Sequence, residues 1–479
     1  VKRTTFFVIQ AITLGAVGLQ ATLLYLSQRY LPPLVPLWYT LPWGETQLAP
    51  SLYLALLPAL TLLLGQANIL LIWWINRHQD SGSQSEAGEV SRALISLNIL
   101  VSLALTFSLN RIINLVSLPQ PRLLPFDLTP LTSPFVVSFL LSLALSPLVV
   151  RLAKKVGAVD DPATHRHPAI LHTTPIPRAG ALAFYLSLLV TGLLFLPLTK
   201  ITLGIYLAAG LTTLVGLADD RYDLSPYFRL GVLLPLAAAL VLVAGVNLRA
   251  FAHPLGGVIR VDIISIPLGS HFISLPADIL AFVWLIWIMN LLSWSNGVDG
   301  QFTGIVGFTF MTLAVLSLRP SAGDLIPPEV STLAALSAGA ALGLAPFTWH
   351  PAKFFWGFGA TTAGLLIATL SILSGAKVAT ASLVMIVPTA DALTAVVRRV
   401  KRGQSPVWGD REHLHHKLLN RGWTHAQVAL FYWAATATCG LITIWAADNP
   451  RVLSLLIGGG LLAFVAILTN LKPNPSPQK

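Results

Sequence analysis

Four polar clusters interrupt an otherwise apolar chain, and each holds residue types suited to gripping phosphate or a metal ion. The most acidic is GLADDRYDLSP, Gly216 to Pro226, in which Asp219 and Asp220 are adjacent. Two neighbouring carboxylates at the end of an apolar run need cationic compensation, because the C-terminal end of a helix disfavours negative charge. Arg221 and Arg229 can supply it, and a divalent ion is the stronger candidate, since hard oxygen ligands suit Mg²⁺. A solvated helix end is the plain alternative. The second cluster is NLLSWSNGVDG, Asn290 to Gly300. Continued helix would bring Asn290, Ser293 and Asn296 near one face, and Gly297 and Gly300 would let backbone approach a ligand. A capped interhelical turn explains the same residues without a ligand.

The other two clusters are basic. DDPATHRHPAILHTTPIPR, Asp160 to Arg178, reads by itself as orienting charge between helices. The stretch RRVKRGQSPVWGDREHLHHKLLNRG, Arg398 to Gly422, carries seven Lys and Arg residues together with His413, His415 and His416. All of these offer donors to phosphate oxygens. A polybasic patch on anionic lipid headgroups would need the same composition. Zinc binding by these histidines lacks the paired Cys or HExxH spacing that normally accompanies it.

The elements that position these clusters are membrane helices. Of 479 residues 55% are hydrophobic and 10% charged, against roughly 25% charged in a soluble domain. Apolar runs long enough to cross a hydrocarbon core of about 30 Å recur along the chain, and there the backbone must satisfy its own hydrogen bonds. Fourteen spans are expected, which makes the fold class an all-α integral membrane protein, a polytopic helical bundle. The run Phe6 to Leu26 lacks a clear small-residue cleavage site and reads as a retained helix. With a cytoplasmic N-terminus, most of the 30 Lys and Arg residues fall in alternate, inward loops, as the positive-inside rule requires. All four clusters then share one side. The net charge of +11 is explained by this topology, and no nucleic-acid partner is expected. Gln79 to Glu89 reads as a flexible loop, the β-branched residues between Phe251 and Pro276 as a short extracytoplasmic hairpin, and the segment after Leu471 as a Pro-rich tail. The single cysteine, Cys439, lies in an apolar run and can form no internal disulfide.

Over residues 134–470 the clusters together resemble the polyprenyl-phosphate N-acetylhexosamine-1-phosphate transferases, the WecA-like branch of glycosyltransferase family 4. Pro177-Arg178-Ala179-Gly180-Ala181 is similar to the family's PRxGG segment, Asp219-Asp220 to its Asp-Asp motif, and Asn290 to Gly300 to NxxNxxDGxDG, with Ser293 and Asn296 replacing an Asn and an Asp. Arg402 to Gly422 follows RGQSPxxxDRxHLHHxLLxRG closely, and Asp391 with Arg398-Arg399 also fits. One departure concerns metal. After His350-Pro351-Ala352-Lys353 the family has a GDxGS motif whose Asp ligates the ion, and here Phe358 stands in its place. A Phe cannot ligate Mg²⁺, so the site must use fewer carboxylates, recruit Asp299, or be absent.

The resemblance implies transfer of N-acetylhexosamine 1-phosphate from a UDP-sugar to polyprenyl (undecaprenyl) phosphate, with release of UMP, in cell-envelope glycan synthesis. It implies Mg²⁺ as cofactor, with Asp219, Asp220 and Asp299 as catalytic and metal-binding residues. Substrate binding would fall to Arg178, Asn290, Asn296, Arg402, Asp410, Arg411, His413, His415 and His416. The implied location is the inner (plasma) membrane with a cytoplasmic active site, and the lipid bilayer is a partner; a homodimer is a permitted assembly. The implied division is an extra N-terminal segment of about three helices, 1–130, before the transferase-like domain, 131–479. A non-catalytic relative that binds polyprenyl phosphate or a nucleotide sugar as a scaffold is the competing reading, supported by Phe358, Ser293 and Asn296.

Overall fold

The computed structural model describes residues 3–28, 31–36, 48–77, parts of 98–113, 128–160, 175–222, 224–246, 248, 250–252, 258–262, 265–268, 271–318, 328–374, 378–405, 412–447 and 449–470. The expected flexible loop at 79–89, residues 161–174 of the first basic cluster, Asp410, Arg411 and the Pro-rich tail lie outside them. The chain divides into two compact units, Val1–Ser133 and Pro134–Lys479.

In the first unit, α1 (Arg3–Ser27) and α2 (Leu56–Arg77) carry few polar side chains, and some of these pair between segments. The buried Gln20 amide donates to the Thr61 hydroxyl at 3.0 Å and to Thr106 at 2.8 Å. Asn98 donates to Thr13 at 3.1 Å. Lipid offers these groups no partner, so pairing them specifies which helix faces meet. A short antiparallel pair, β1 (Leu34–Pro36) with β2 (Leu48–Pro50), closes the connection between α1 and α2.

The second unit starts with α3 (Thr129–Val156, mostly within it) and continues through α4 (Gly180–Phe195), α5 (Lys200–Tyr222), α6 (Leu234–Val243), α7 (Leu275–Trp294), α8 (Gln301–Ser317), α9 (Pro328–Leu342) and α10 (Ala360–Leu373). It ends with α11 (Val378–Val384), α12 (Ile386–Lys401), α13 (Leu414–Leu419), α14 (His425–Ala446) and α15 (Pro450–Asn470). Close approach comes from small residues. A Cβ at Gly339 would lie 2.1 Å from the Phe135 carbonyl oxygen, and one at Gly364 2.7 Å from the Met289 Cα, so α9 meets α3 and α10 meets α7 almost backbone to backbone. Helices α8 and α10 form the centre, with nearly every residue of each buried.

The expected count of fourteen spans is not confirmed among the described residues. Among the described residues seven helices are long and apolar enough to cross a membrane, eight if α11 and α12 make one bent span. Others, including α4, α8 and α10, are apolar but only 10–17 residues long. At 1.5 Å per residue such helices fall short of a hydrocarbon core of about 30 Å. Hydropathy could not separate them from true spans, because a helix enclosed by protein is as apolar all round as one facing lipid. The α11–α12 pair bends by 84° at Met385, where one span was expected. Helix α12 is two-faced: Ile386, Val387, Ala390, Asp391, Ala395 and Arg399 are buried, and its last turn carries Arg398, Arg399 and Lys401. Between α6 and α7 stand two antiparallel hairpins rather than one, Ala250–Ala252 with Val258–Arg260 and Ser265–Leu268 with His271–Ser274.

Candidate active site

Helix α5 runs four residues beyond the expected end of its span, so Asp219 and Asp220 lie in its last turn. Both are buried. Asp219 accepts from the Arg229 guanidinium at 2.7 Å and from the Leu224 amide at 3.1 Å. Asp220 accepts from the Phe358 amide at 3.0 and 3.1 Å, one contact to each oxygen, and its Oδ1 lies 3.7 Å from Arg178. Arg178 also pairs with buried Asp160. The helix-end penalty foreseen for the pair is therefore met by two guanidiniums and two backbone N–H groups.

The loop before α10 receives Asp220. Gly357 has φ +66°, and a Cβ there would sit 1.9 Å from Asp220 Oδ2. Only glycine both adopts that backbone conformation without strain and leaves room for the carboxylate. The loop is held from two further sides. Asn296 donates its side-chain amide to the Gly357 carbonyl at 3.1 Å. Phe355 donates to the Pro177 carbonyl at 2.8 Å, and Gly180 donates to the Phe355 carbonyl at 2.9 Å. Phe358 thus meets Asp220 through its backbone, while its ring lies under the Arg229 guanidinium at 4.7 Å from the centroid. Its ring covers the arginine that neutralises Asp219.

The Asn290–Gly300 segment does not continue as helix. Helix α7 ends at Trp294, so Asn290 remains in the helix and donates to the Ile286 carbonyl at 2.8 Å, while Asn296 lies in the following turn. Gly297 approaches a side chain of this protein: a Cβ there would sit 2.3 Å from His415 Nε2. Gly300, with φ +75°, makes the turn into α8, and its carbonyl accepts from Trp433 at 2.9 Å. Asp299 meets His350 Nδ1 at 2.7 Å, the Ala352 amide at 3.2 Å and His425 Nδ1 at 3.8 Å.

The described part of the basic loop is organised by two carboxylates. Asp391 on α12 accepts from His413 at 2.9 Å and from the Leu414 amide at 2.8 Å, which fixes the start of α13. Glu412 pairs with Arg398 at 2.7 Å and with Arg402 at 2.5 Å. Arg399 is buried, lies 3.3 Å from His413 Nε2 and faces the Trp294 ring at 5.9 Å. His413 and His415 stack at 5.6 Å, and the His416 ring lies tilted against His415 at 4.3 Å. Burial, then the nearby His416 and His413, push His415 well below the ordinary histidine range, so it is neutral at neutral pH. Burial and Arg398 also lower Lys417, whose ammonium donates to the Leu468 carbonyl at 3.1 Å.

Contacts therefore link all four clusters: Arg178 to Asp220, Asp220 through the Gly357–Phe358 loop to Asn296, and the adjoining Gly297 and Trp294 to His415 and Arg399. Asp299 is oriented otherwise. Among the described residues, the one group of three His, Cys, Asp or Glu residues with ligand atoms within 4.8 Å of one another is Asp299, His350 and His425. Sequence reasoning did not single out His350 or His425, although His350 opens the HPAK phrase and His425 directly follows the basic loop. Neither has a local spacing that marks a ligand.

The family model described as Glycosyl transferase family 4 matches residues 202–375, a range that holds Asp219, Asp220, Asn290, Asn296, Asp299 and Phe358. The chain is 31% identical over 361 residues to the decaprenyl-phosphate N-acetylglucosaminephosphotransferase of Mycolicibacterium smegmatis, covering 67% of this chain and 83% of that protein. It is 28% identical to a probable undecaprenyl-phosphate N-acetylglucosaminyl 1-phosphate transferase of Bacillus subtilis, covering 70% and 90%. It is 26% identical to an undecaprenyl-phosphate alpha-N-acetylglucosaminyl 1-phosphate transferase of Yersinia pestis, covering 66% and 85%. With its motifs joined in one place and relatives of this kind matched over most of their length, the chain belongs to glycosyl transferase family 4.

Proposed function

We propose that this protein is an enzyme that transfers N-acetylglucosamine 1-phosphate from a UDP-linked donor to a polyprenyl phosphate in the membrane, releasing UMP. The observation that carries this is the joining of Arg178, Asp219, Asp220, Asn296 and Arg399 at the ends of apolar helices, next to an apolar groove. The groove, about 280 Å³, is lined by Leu230, Phe282, Val283, Ile286 and Trp287, with Asn290 and Trp294 at its polar end. A lipid tail laid there would present its phosphate to the linked clusters, where a water-soluble donor can arrive.

In the reaction, an oxygen of the acceptor phosphate attacks the sugar-linked phosphorus of the donor. A new P–O bond forms, the diphosphate bond breaks, and UMP leaves with the bonding electrons. A phosphate monoester has a second pKa of about 6, so the acceptor is largely deprotonated at neutral pH without a strong base. Asp219 and Asp220 fit Mg²⁺ by the chemistry of their oxygens, and that ion is commonly held by one or two carboxylates together with substrate phosphates and water. Two carboxylates therefore suffice, and Phe358 need not be replaced by an acid. When bound, Mg²⁺ neutralises charge on the phosphoryl oxygens. Arg399, Arg402, His413 and His416 bind the donor diphosphate, with Asp410 and Arg411 assigned to the same loop. Neutral His415 packs against Gly297 and holds the loop against the Asn296 turn. Asp299 stands with its histidines and is left out of the Mg²⁺ set.

The transferase domain is 131–479, with 1–130 an added membrane segment, a reading supported by the division of compact units at Ser133. The positive-inside distribution supports a plasma-membrane protein with this site on the cytoplasmic side. The test uses membranes containing the protein, radiolabelled UDP-N-acetylglucosamine, undecaprenyl phosphate and Mg²⁺. Labelled lipid and UMP in equal amounts are expected. Donor binding without labelled lipid would replace this reading with a scaffold.

A further inference from the structure

Asp299, His350 and His425 come from three separate segments, and each is fixed by its own local structure. Asp299 precedes the left-handed Gly300 that starts α8. His350 follows a short helix, Ala345–Thr348, in a turn closed by the Lys353 amide donating to the Phe347 carbonyl at 2.7 Å. His425 is the first residue of α14, whose start is locked by a capping box between Thr424 and Gln427. Side chains on such anchored backbones keep their mutual positions with little entropy left to lose on binding.

Their geometry is that of a coordination shell. Asp299 Oδ2 is 2.7 Å from His350 Nδ1 and 3.8 Å from His425 Nδ1. The two imidazole centroids are 4.5 Å apart, and all three ligand atoms lie within 4.8 Å of one another. Ligands about 2.0–2.1 Å from a tetrahedral Zn²⁺ stand about 3.4 Å from each other, so the observed spacings bracket the required one. His425 Nδ1 is buried and has no hydrogen-bond partner. A buried nitrogen left without a bond is costly unless something fills it. The histidine side chains are 48% and 26% exposed against 11% for the carboxylate, so the group opens outward on its histidine side.

We propose that Asp299, His350 and His425 form a binding site for a borderline divalent transition metal of the Zn²⁺ type, with a fourth position open to water or an added ligand. Two imidazoles and one carboxylate select such an ion over Mg²⁺, which prefers oxygen. The site differs in place and in ligand chemistry from the Asp219–Asp220 pair. Binding exchanges the Asp299–His350 hydrogen bond for metal–ligand bonds, and the proton on His350 Nδ1 moves to Nε2, which faces outward.

The test uses the full, untagged chain in detergent, stripped with a chelator and titrated with Zn²⁺, then with Co²⁺ as a visible probe. One ion per chain is expected, retained against a hundredfold excess of Mg²⁺, with the intense visible absorption of four-coordinate Co²⁺. His350→Gln and His425→Gln should each weaken binding at least about tenfold. His425→Cys retains a ligating atom and should keep Co²⁺ while adding a thiolate charge-transfer band, which a merely structural histidine could not produce. No saturable Zn²⁺ binding overturns the proposal, as does binding that survives both glutamine variants and is carried by other histidines. The readout does not depend on lipid labelling, so failure of the transferase assay with Zn²⁺ binding intact leaves this inference standing.

Discussion

The carboxylates Asp219 and Asp220 on one side, and Asp299 on the other, are compensated in different ways. Asp219 and Asp220 are buried against Arg178, Arg229 and backbone amides, all of which carry their charge or dipole at every accessible pH. Asp299 is held by His350 and His425, whose charge can change and whose nitrogens can turn from proton to metal. Permanent cations suit a centre that must stay aligned while, under the proposed function, phosphates come and go. Exchangeable partners suit a centre whose occupancy varies. Under the two proposals above, the Asp219-Asp220 and Asp299 motifs serve different chemistry although both are rich in acid.

Substitutions can break or sharpen this contrast. Asp220→Asn should have the largest effect, a fall in kcat of about 100-fold or more, the scale seen when a charge-handling group is removed from a reacting centre. Asp299→Asn should cost at least tenfold less in the same lipid-labelling assay, and equal losses would merge the two centres into one. Gly357→Ala comes next. It meets about 1–2 kcal/mol of backbone strain and displaces amide bonds to a charged carboxylate, each contributing about 1.5–3 kcal/mol. A 10–100-fold loss of kcat is expected, with the protein still inserted in the membrane. Phe358→Leu removes only the ring beneath Arg229, about 0.5–2 kcal/mol. About fivefold lower activity is expected, and a loss as large as that of Asp220→Asn would mean that the ring, not the amide, is what matters at this position.

The smallest effect concerns stability. His415 is depressed in the folded protein, so between its folded pKa and the unfolded value of about 6.5 the unfolded chain binds more protons. Its contribution is complete above about pH 6.5 and is lost as pH falls through that window. The melting temperature in detergent should drop on acidification below about pH 6.5, and His415→Gln should flatten that drop. An unchanged profile would place the acid sensitivity elsewhere.

Much of the candidate site was legible because its chemistry is local. Adjacent aspartates, an Asn-Gly-x-Asp-Gly turn and a dense basic loop announce themselves by residue type, and the structure joins them. What failed was whatever depends on neighbours. Gly297 was read as room for a ligand, but the space is filled by His415, about 120 residues later. His350 and His425 are ordinary in isolation and acquire meaning only when two turns meet. The bend at Met385 has no glycine or proline at the break itself, the nearest proline being Pro388 inside α12. The role of Phe358 was legible only as a loss of carboxylate, whereas the structure gives its amide to Asp220 and its ring to Arg229.

Helix α10 shows how such a protein must be assembled. It is an apolar helix, yet at fourteen residues it is short for a bilayer, and in the finished molecule almost none of its surface is open. Its Thr362 hydroxyl reaches Thr213 on α5, and its Ser371 accepts from Trp284 on α7. The finished protein, rather than lipid, is thus the solvent this segment is built for, and its polar groups are satisfied by the helices around it.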